Sequence, residues 1–284
     1  MSDTVETTIP DVPTDRDDYL FDLRGYLVLE DALSEEMVTT LNDAVDAILP
    51  LKPGEWHGHV QRRAETGVVG DSIQLQQIYE LQPFETLIAH PAWIEYVKRF
   101  VGNQDDFDTN HGPVYIDENF YQATPEGEGT DIHSGGHTRT KRTQFRYHDG
   151  GFHCGQINVL VALDDIGSGD GATMAVPGSH KQNFEPPFLE EVRGNTLETV
   201  PGAEEIYLEA GDALLFVDSV MHGSATRTTP GKRRFSVFRY GPSWGVSRRG
   251  YEPSENLLDR LSDPERAIVK TWGSVEQKSP PSTD

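Results

Sequence analysis

The chain is short of cysteine, of positive charge and of long apolar runs. Its single cysteine, Cys154, excludes an intramolecular disulfide and any zinc or iron–sulfur site built from several thiolates. Only 24 Lys and Arg stand against 47 Asp and Glu, and the formal charge of −23 repels nucleic acid and anionic membrane surfaces alike. No apolar run approaches the roughly 20 residues that a bilayer-spanning helix needs. The opening segment MSDTVETTIPDVPTDRDD has neither the basic start nor the apolar core of a secretory signal. A cytoplasmic protein without nucleic-acid or membrane partners is the expectation.

What is present suits one large domain. The 284 residues are 36% hydrophobic, enough for a sizeable core. Residues 1–17, dominated by Pro, Thr and Asp, are expected to be disordered, as is the tail 274–284, leaving a single domain over 18–273. Gly25–Leu29 reads as a short strand. Ser34 caps a helix in which Met37, Leu41, Val45 and Ile48 recur at helical spacing until Pro50. Residues 52–70 read as irregular, and 73–84 and 91–101 as helical. From residue 113 the texture turns to short β-branched and aromatic runs: 114–116, 120–123, 144–147, 157–163, 173–176, 205–208, 213–217 and 235–240. A last helix is expected over 254–271. Helices first and strands later indicate an α+β, mainly β chain, a jelly roll with N-terminal helices packed outside.

Histidine is abundant. Seven of the ten (His111, His133, His137, His148, His153, His180 and His222) fall in the central region, and histidine is the commonest metal ligand among side chains. His57-Gly58-His59 could bind metal, but it sits in a Gly- and Pro-rich loop. Gly167-Ser168-Gly169-Asp170-Gly171 resembles a phosphate loop only superficially, since no Lys-Ser/Thr follows; a hairpin connection is expected there. His180 in Pro177-Gly178-Ser179-His180 reads as holding a turn. His222 closes the apolar strand region 213–217 beside a glycine, well placed to face an enclosed cavity. Arg233, eleven residues later, could clamp a carboxylate through two parallel hydrogen bonds or form a surface ion pair.

The runs FDLRGYLVLEDALSEEMVTTLNDAVD, LDDIGSGDGATMAVPGSHK and GDALLFVDSVMHGS…GKRRFSVFRY resemble, in this order, the motifs of the phytanoyl-CoA dioxygenase family. The resemblance implies a double-stranded β-helix, a cupin-like relative of the jelly roll. It also implies Fe(II) held by His-x-Asp and a distal His, with 2-oxoglutarate and dioxygen used to hydroxylate a small-molecule substrate. Carried over, it implies His222 as distal metal ligand and Arg233 as the partner of the 2-oxoglutarate carboxylate, ahead of Arg234.

The proximal motif departs from the family. The candidates are His133-Ser134-Gly135 and His148-Asp149-Gly150, and the segment ENFYQATPEGEGTDIHSGG resembles a branch in which His133 takes the part, with His148 the alternative. A carboxylate from elsewhere, Asp149 or Glu118, could complete a 2-His-1-carboxylate face. Without one, the resemblance leaves open a halogenase that uses the vacant position, or a non-catalytic cupin-like binding protein. A zinc hydrolase would need three protein ligands. His137 and His153 read as supporting groups, Cys154 as a packed small residue, and Arg139-Thr140-Lys141-Arg142 as a solvated loop. Residues 52–70, 125–142 and 181–204 are the loops expected to line a substrate pocket.

Overall fold

The central strand β9 (Ile157–Ala162) is apolar at nearly every position and buried at all six, because one face meets packed helices and the other looks into the barrel. It lies third in an eight-stranded antiparallel sheet. The order is β1 (Tyr26–Leu29), β12 (Ala213–Val217), β9, β14 (Lys232–Pro242), β5 (Val114–Pro125), β4 (Ile73–Gln76), β3 (Val60–Arg62) and β2 (Trp56–His57). A four-stranded sheet, β11 (Glu204–Ile206), β10 (Thr173–Val176), β13 (Met221–Ser224) and β6 (Thr130–His133), supplies the second layer. β7 (Phe145–His148) and β8 (Gly151–Cys154) form a separate ribbon. This is the mainly β, two-sheet architecture that the order of the elements implies. The computed structural model describes residues 13–64, 71–101, 114–148, 150–188, 199–243 and 251–269. The expected disorder of 1–12 and of the 274–284 tail concerns residues outside that set. Among the described residues no helix is long and apolar enough to cross a membrane.

Helices cover the outer face. In α2 (Glu35–Asp46), capped by Ser34, Val38, Leu41 and Val45 turn inward. α3 (Ile94–Val101) buries Trp93 beside it against Tyr240, whose hydroxyl accepts from the indole N–H at 3.2 Å. α1 (Asp15–Arg24) buries only Phe21, which stacks on Phe100 with ring centroids 4.3 Å apart.

Several sequence expectations are corrected. Order begins before residue 18, because Thr14 and Asp17 form a reciprocal capping box that starts α1 at Asp15. Residues 52–70 are not wholly irregular, since Trp56–His57 and Val60–Arg62 pair as a hairpin. Residues 73–84 are not a helix: Ile73 and Leu75 alternate with Gln74 and Gln76, the period of a strand, and pair with β5. Two short 3₁₀ turns, Ile78–Glu80 and Phe84–Leu87, follow. The 167–171 turn is not a hairpin, since β9 and β10 belong to different sheets and the turn carries the chain between them. The C-terminal helix is two helices, α4 (Glu255–Arg260) and α5 (Asp263–Val269), because Ser262 lies just ahead of Asp263-Pro264 and its amide is taken by the Glu265 carboxylate instead.

Candidate metal centre

β13 and β6 pair antiparallel with His222 opposite His133, and their imidazole centroids are 4.1 Å apart. Each ring is fixed in the same way. Nδ1 of His133 lies 2.9 Å from the carbonyl of Asp131, and Nδ1 of His222 lies 2.7 Å from the carbonyl of Val220. A carbonyl only accepts, so both Nδ1 atoms carry the proton, and both Nε2 atoms keep a lone pair. That is the tautomer and the backbone anchoring expected of metal-ligating histidines. His222 is buried beneath the edge of Phe216, 4.7 Å between centroids. His133 opens its ring to the cavity while protein surrounds the rest of it. Burial lowers the pKa of both, most strongly at His222, where the neighbouring His133 adds to the effect. Both shifts favour the neutral imidazole, the form that binds metal.

The histidines line a cavity of about 240 Å³ between the sheets. Period-two alternation on β14 sends Arg233, Phe235, Val237 and Arg239 into it. Arg234 points the other way, donating from Nε to the Tyr121 hydroxyl at 2.9 Å and from Nη2 to Asp46 at 2.8 Å. Arg233 is 3% exposed, lies over the Phe235 ring and donates from Nη1 to the Gly171 carbonyl. Its Nε has no partner and no carboxylate faces it among the described residues. Burial, then the neighbouring Arg227, lowers its pKa to about 9. A buried cation left so incompletely satisfied calls for an anion. Arg239 is in a different state, ion-paired with Glu118 at 2.9 Å.

No group of three or more His, Cys, Asp or Glu able to hold a metal occurs among the described residues. Glu118 is thus committed to Arg239 rather than joined to the histidine pair. Asp149 lies outside the described residues, as does the His148 side chain; the His148 backbone ends β7 in the separate ribbon. Where the family's aspartate would stand, Gly135 adopts φ +107° and ψ 146°, and a β-carbon there would come within 2.6 Å of the His137 ring and 3.0 Å of the Gln182 amide. His137 and Gln182, hydrogen-bonded to each other, fill that space.

The remaining candidates fall elsewhere. His57 and His59 are exposed at the β2–β3 hairpin. His180 is buried against the edge of Phe145 and bonds the Asp22 carbonyl through Nε2 at 3.0 Å, fastening α1 to the strand-end turn. His153 is half-buried in β8. Cys154 is buried, and desolvation pushes its thiol well above the ordinary range. His111 lies outside the described residues. Sequence reasoning missed Asp218, and it missed the role of Arg142 by reading its run as a solvated loop. Arg142 Nε meets the buried Asp218 carboxylate at 3.0 Å, and both charges act on His133, that of Arg142 on His222 as well. The only signal was the position of Asp218 just past β12 and four residues before His222.

The family model described as Phytanoyl-CoA dioxygenase (PhyH) matches residues 21–235. The chain is 26% identical over 219 residues to "Dioxygenase swnH1" of Metarhizium robertsii, covering 74% of this chain and 66% of that protein. It is 36% identical over 122 residues to "Dioxygenase cdmA" of Talaromyces verruculosus, covering 43% of this chain and 35% of that protein. The chain thus spans about 66% of the length of the first of these relatives, just under two thirds. Among solved structures, HygX from Streptomyces hygroscopicus with nickel, 2-oxoglutarate and hygromycin B bound superposes with a TM-score of 0.68 at 22% identity, over 86% of this chain and 94% of that one. The iron-bound form of HygX gives 0.65 at 22% identity, over 88% and 94%. At such identity these structures establish the shared fold.

Proposed function

On the premise that the chain belongs to the phytanoyl-CoA dioxygenase family, we propose that it is an Fe(II)- and 2-oxoglutarate-dependent oxygenase that hydroxylates a small molecule with dioxygen. One observation carries this reading. A buried guanidinium without a carboxylate, Arg233, shares a cavity with two histidines whose Nε2 lone pairs are free for a metal. The curated relatives named above are dioxygenases, and HygX structures hold iron, or nickel with 2-oxoglutarate.

His133 and His222 would hold the metal through Nε2, and their Nδ1–H groups would keep both rings oriented through the Asp131 and Val220 carbonyls. Arg233 would take the distal carboxylate of 2-oxoglutarate in a charge-assisted hydrogen bond. Phe216, Phe235, Leu160 and Val237 give the cavity apolar walls that limit water around the reacting groups. When bound, the iron supplies the redox chemistry by which 2-oxoglutarate, dioxygen and R–H become succinate, carbon dioxide and R–OH. The Arg142–Asp218 pair sets the field behind the histidines and keeps its own charges balanced.

Gly135 favours a second reading. No carboxylate stands at the family's position, and were His137 and Gln182 to give up the space they fill there, a halide could take it and be transferred to the substrate carbon. A zinc hydrolase finds only two of its three ligands among the described residues. A non-catalytic binding protein would bind its ligand without metal. The experiment is to follow succinate formed from 2-oxoglutarate by purified protein with Fe(II) and dioxygen, with and without chloride, beside His222→Ala. Succinate formed by wild type and absent from the variant supports the oxygenase, and halide in the product would shift the reading to the halogenase. Protein that binds neither Fe(II) nor 2-oxoglutarate anaerobically would sink it.

A further inference from the structure

Across the sheet from the metal-facing wall, Arg63, Gln74, Gln122 and Thr124 form a directed hydrogen-bond ladder. Arg63 Nη1 donates to Gln74 Oε1 at 2.9 Å, Gln74 Nε2 to Gln122 Oε1 at 3.0 Å, and Gln122 Nε2 to Thr124 Oγ1 at 3.1 Å. Gln76 Nε2 donates to the same Gln74 oxygen at 2.7 Å. The register produces this row, since Gln74 lies opposite Gln122 and Gln122 opposite Phe235, while the Arg63 amide donates to the Gln74 carbonyl. Arginine can only donate, so it fixes which end of each glutamine amide accepts. Both acceptor positions of Gln74 Oε1 are then occupied, and Gln122 Oε1 has accepted once. The ladder has donors left over: the rest of the Arg63 guanidinium and the second N–H of Gln74.

Charge points the same way. In a chain of net charge −23, the described residues lining this cavity include three arginines and no carboxylate. Arg239 is balanced by Glu118, and Arg233 is assigned above to the cosubstrate. Arg63, half-buried, meets no carboxylate among the described residues. An uncompensated cation held in place by a neutral amide favours an anion over a neutral alcohol or an amine.

We propose that Arg63, positioned by Gln74 and Gln122, is the substrate subsite of this cavity and that it takes the oxyanion of an acidic substrate, a carboxylate or a phosphate monoester. The proposal rests on the oxygenase reading for what happens to that substrate, but the anion site stands on its own residues.

The test is calorimetric binding of benzoate, phenyl phosphate, benzamide and benzylamine to the full chain loaded with nickel(II) and 2-oxoglutarate, repeated without either. One charged hydrogen bond contributes about 1.5–3 kcal/mol, so at least one anion should bind about tenfold or more tighter than benzamide. Whichever of benzoate and phenyl phosphate binds tighter identifies the oxyanion. Arg63→Gln should erase the preference, Arg63→Lys should retain part of it, and both should keep wild-type affinity for 2-oxoglutarate, which also shows that they fold. The subsite is overturned if benzamide or benzylamine matches the anions, if neither anion binds, or if the preference survives in Arg63→Gln. Failure of the wild type to take up nickel and 2-oxoglutarate counts against the oxygenase reading alone; Arg233 is then open to the anions as well, so on unloaded protein the subsite is decided by whether Arg63→Gln lowers the anion preference.

Discussion

On β14 the side chain of Arg233 is buried over Phe235, while that of Arg234 crosses to the opposite face and holds Asp46. Losing the buried charge should remove one charge-assisted hydrogen bond to 2-oxoglutarate, so Arg233→Gln is expected to weaken 2-oxoglutarate binding by roughly 10- to 100-fold in anaerobic titration, with Fe(II) binding retained. Arg234→Gln should leave that affinity unchanged and lower stability by at most about 1 kcal/mol, since Asp46 is exposed. Gly135 allows a second prediction. Gly135→Asp would place a carboxylate at the family position, but in a backbone conformation nearly restricted to glycine and against the His137 ring. It should cost about 1–3 kcal/mol in urea denaturation and fail to raise Fe(II) affinity. At this scale the sequence was informative where chemistry is local. A histidine beside glycine at a strand end and an arginine eleven residues on singled out His222 and Arg233, the family resemblance of ENFYQATPEGEGTDIHSGG singled out His133, and the fold brings all three to one cavity. Arg142 and Asp218 were not legible, because only the fold brings a loop arginine to the carboxylate beyond β12. Arg63 was hidden by reading its segment as irregular.

Gly25 joins α1 to β1 and shows how an element boundary is fixed by a single residue. It caps α1 at φ +85°, its amide donates to the Phe21 carbonyl at 2.7 Å, and a β-carbon there would lie 2.6 Å from His180 Nδ1. Gly25→Ala should therefore destabilise the protein by about 1–3 kcal/mol, measured as a lowered urea midpoint at unchanged slope. Among the elements, strands with apolar runs or clean alternation, such as β9, β12 and β14, were legible from their side chains. β4 was not, because Leu75, Ile78 and Tyr79 fall at helical spacing while Ile73 and Leu75 alternate as in a strand, and pairing with β5 decides between them. β6 and β13 carry His133 and His222 yet are four residues each, too short and too polar to signal a strand without their partners. The break between α4 and α5 was written in Ser262-Asp263-Pro264, a helix start inside an expected helix.

For the whole molecule, acid stability follows from the buried histidines. Burial lowers His180 from its ordinary 6.5 to about 4. Between these values the unfolded chain binds a proton that the folded protein does not, so stability is complete above about pH 6.5 and falls as the pH drops toward 4. His180→Gln should flatten this part of the melting-temperature profile, while a slope as steep as in wild type would show that other groups govern it. The two-sheet architecture was legible as a whole from the order of helices and strands. Its consequence is that residues from β6, β13 and β14 meet in one cavity although they are far apart in sequence. The most direct measurement of the central claim is anaerobic titration with Fe(II) and 2-oxoglutarate, followed by the visible charge-transfer absorption that arises when 2-oxoglutarate chelates Fe(II). Wild type should develop the band, His133→Ala and His222→Ala should lose it, and Arg233→Gln should need far more 2-oxoglutarate to reach it. A wild type without the band, or a full-strength band in both histidine variants, would contradict a metal centre built on this pair.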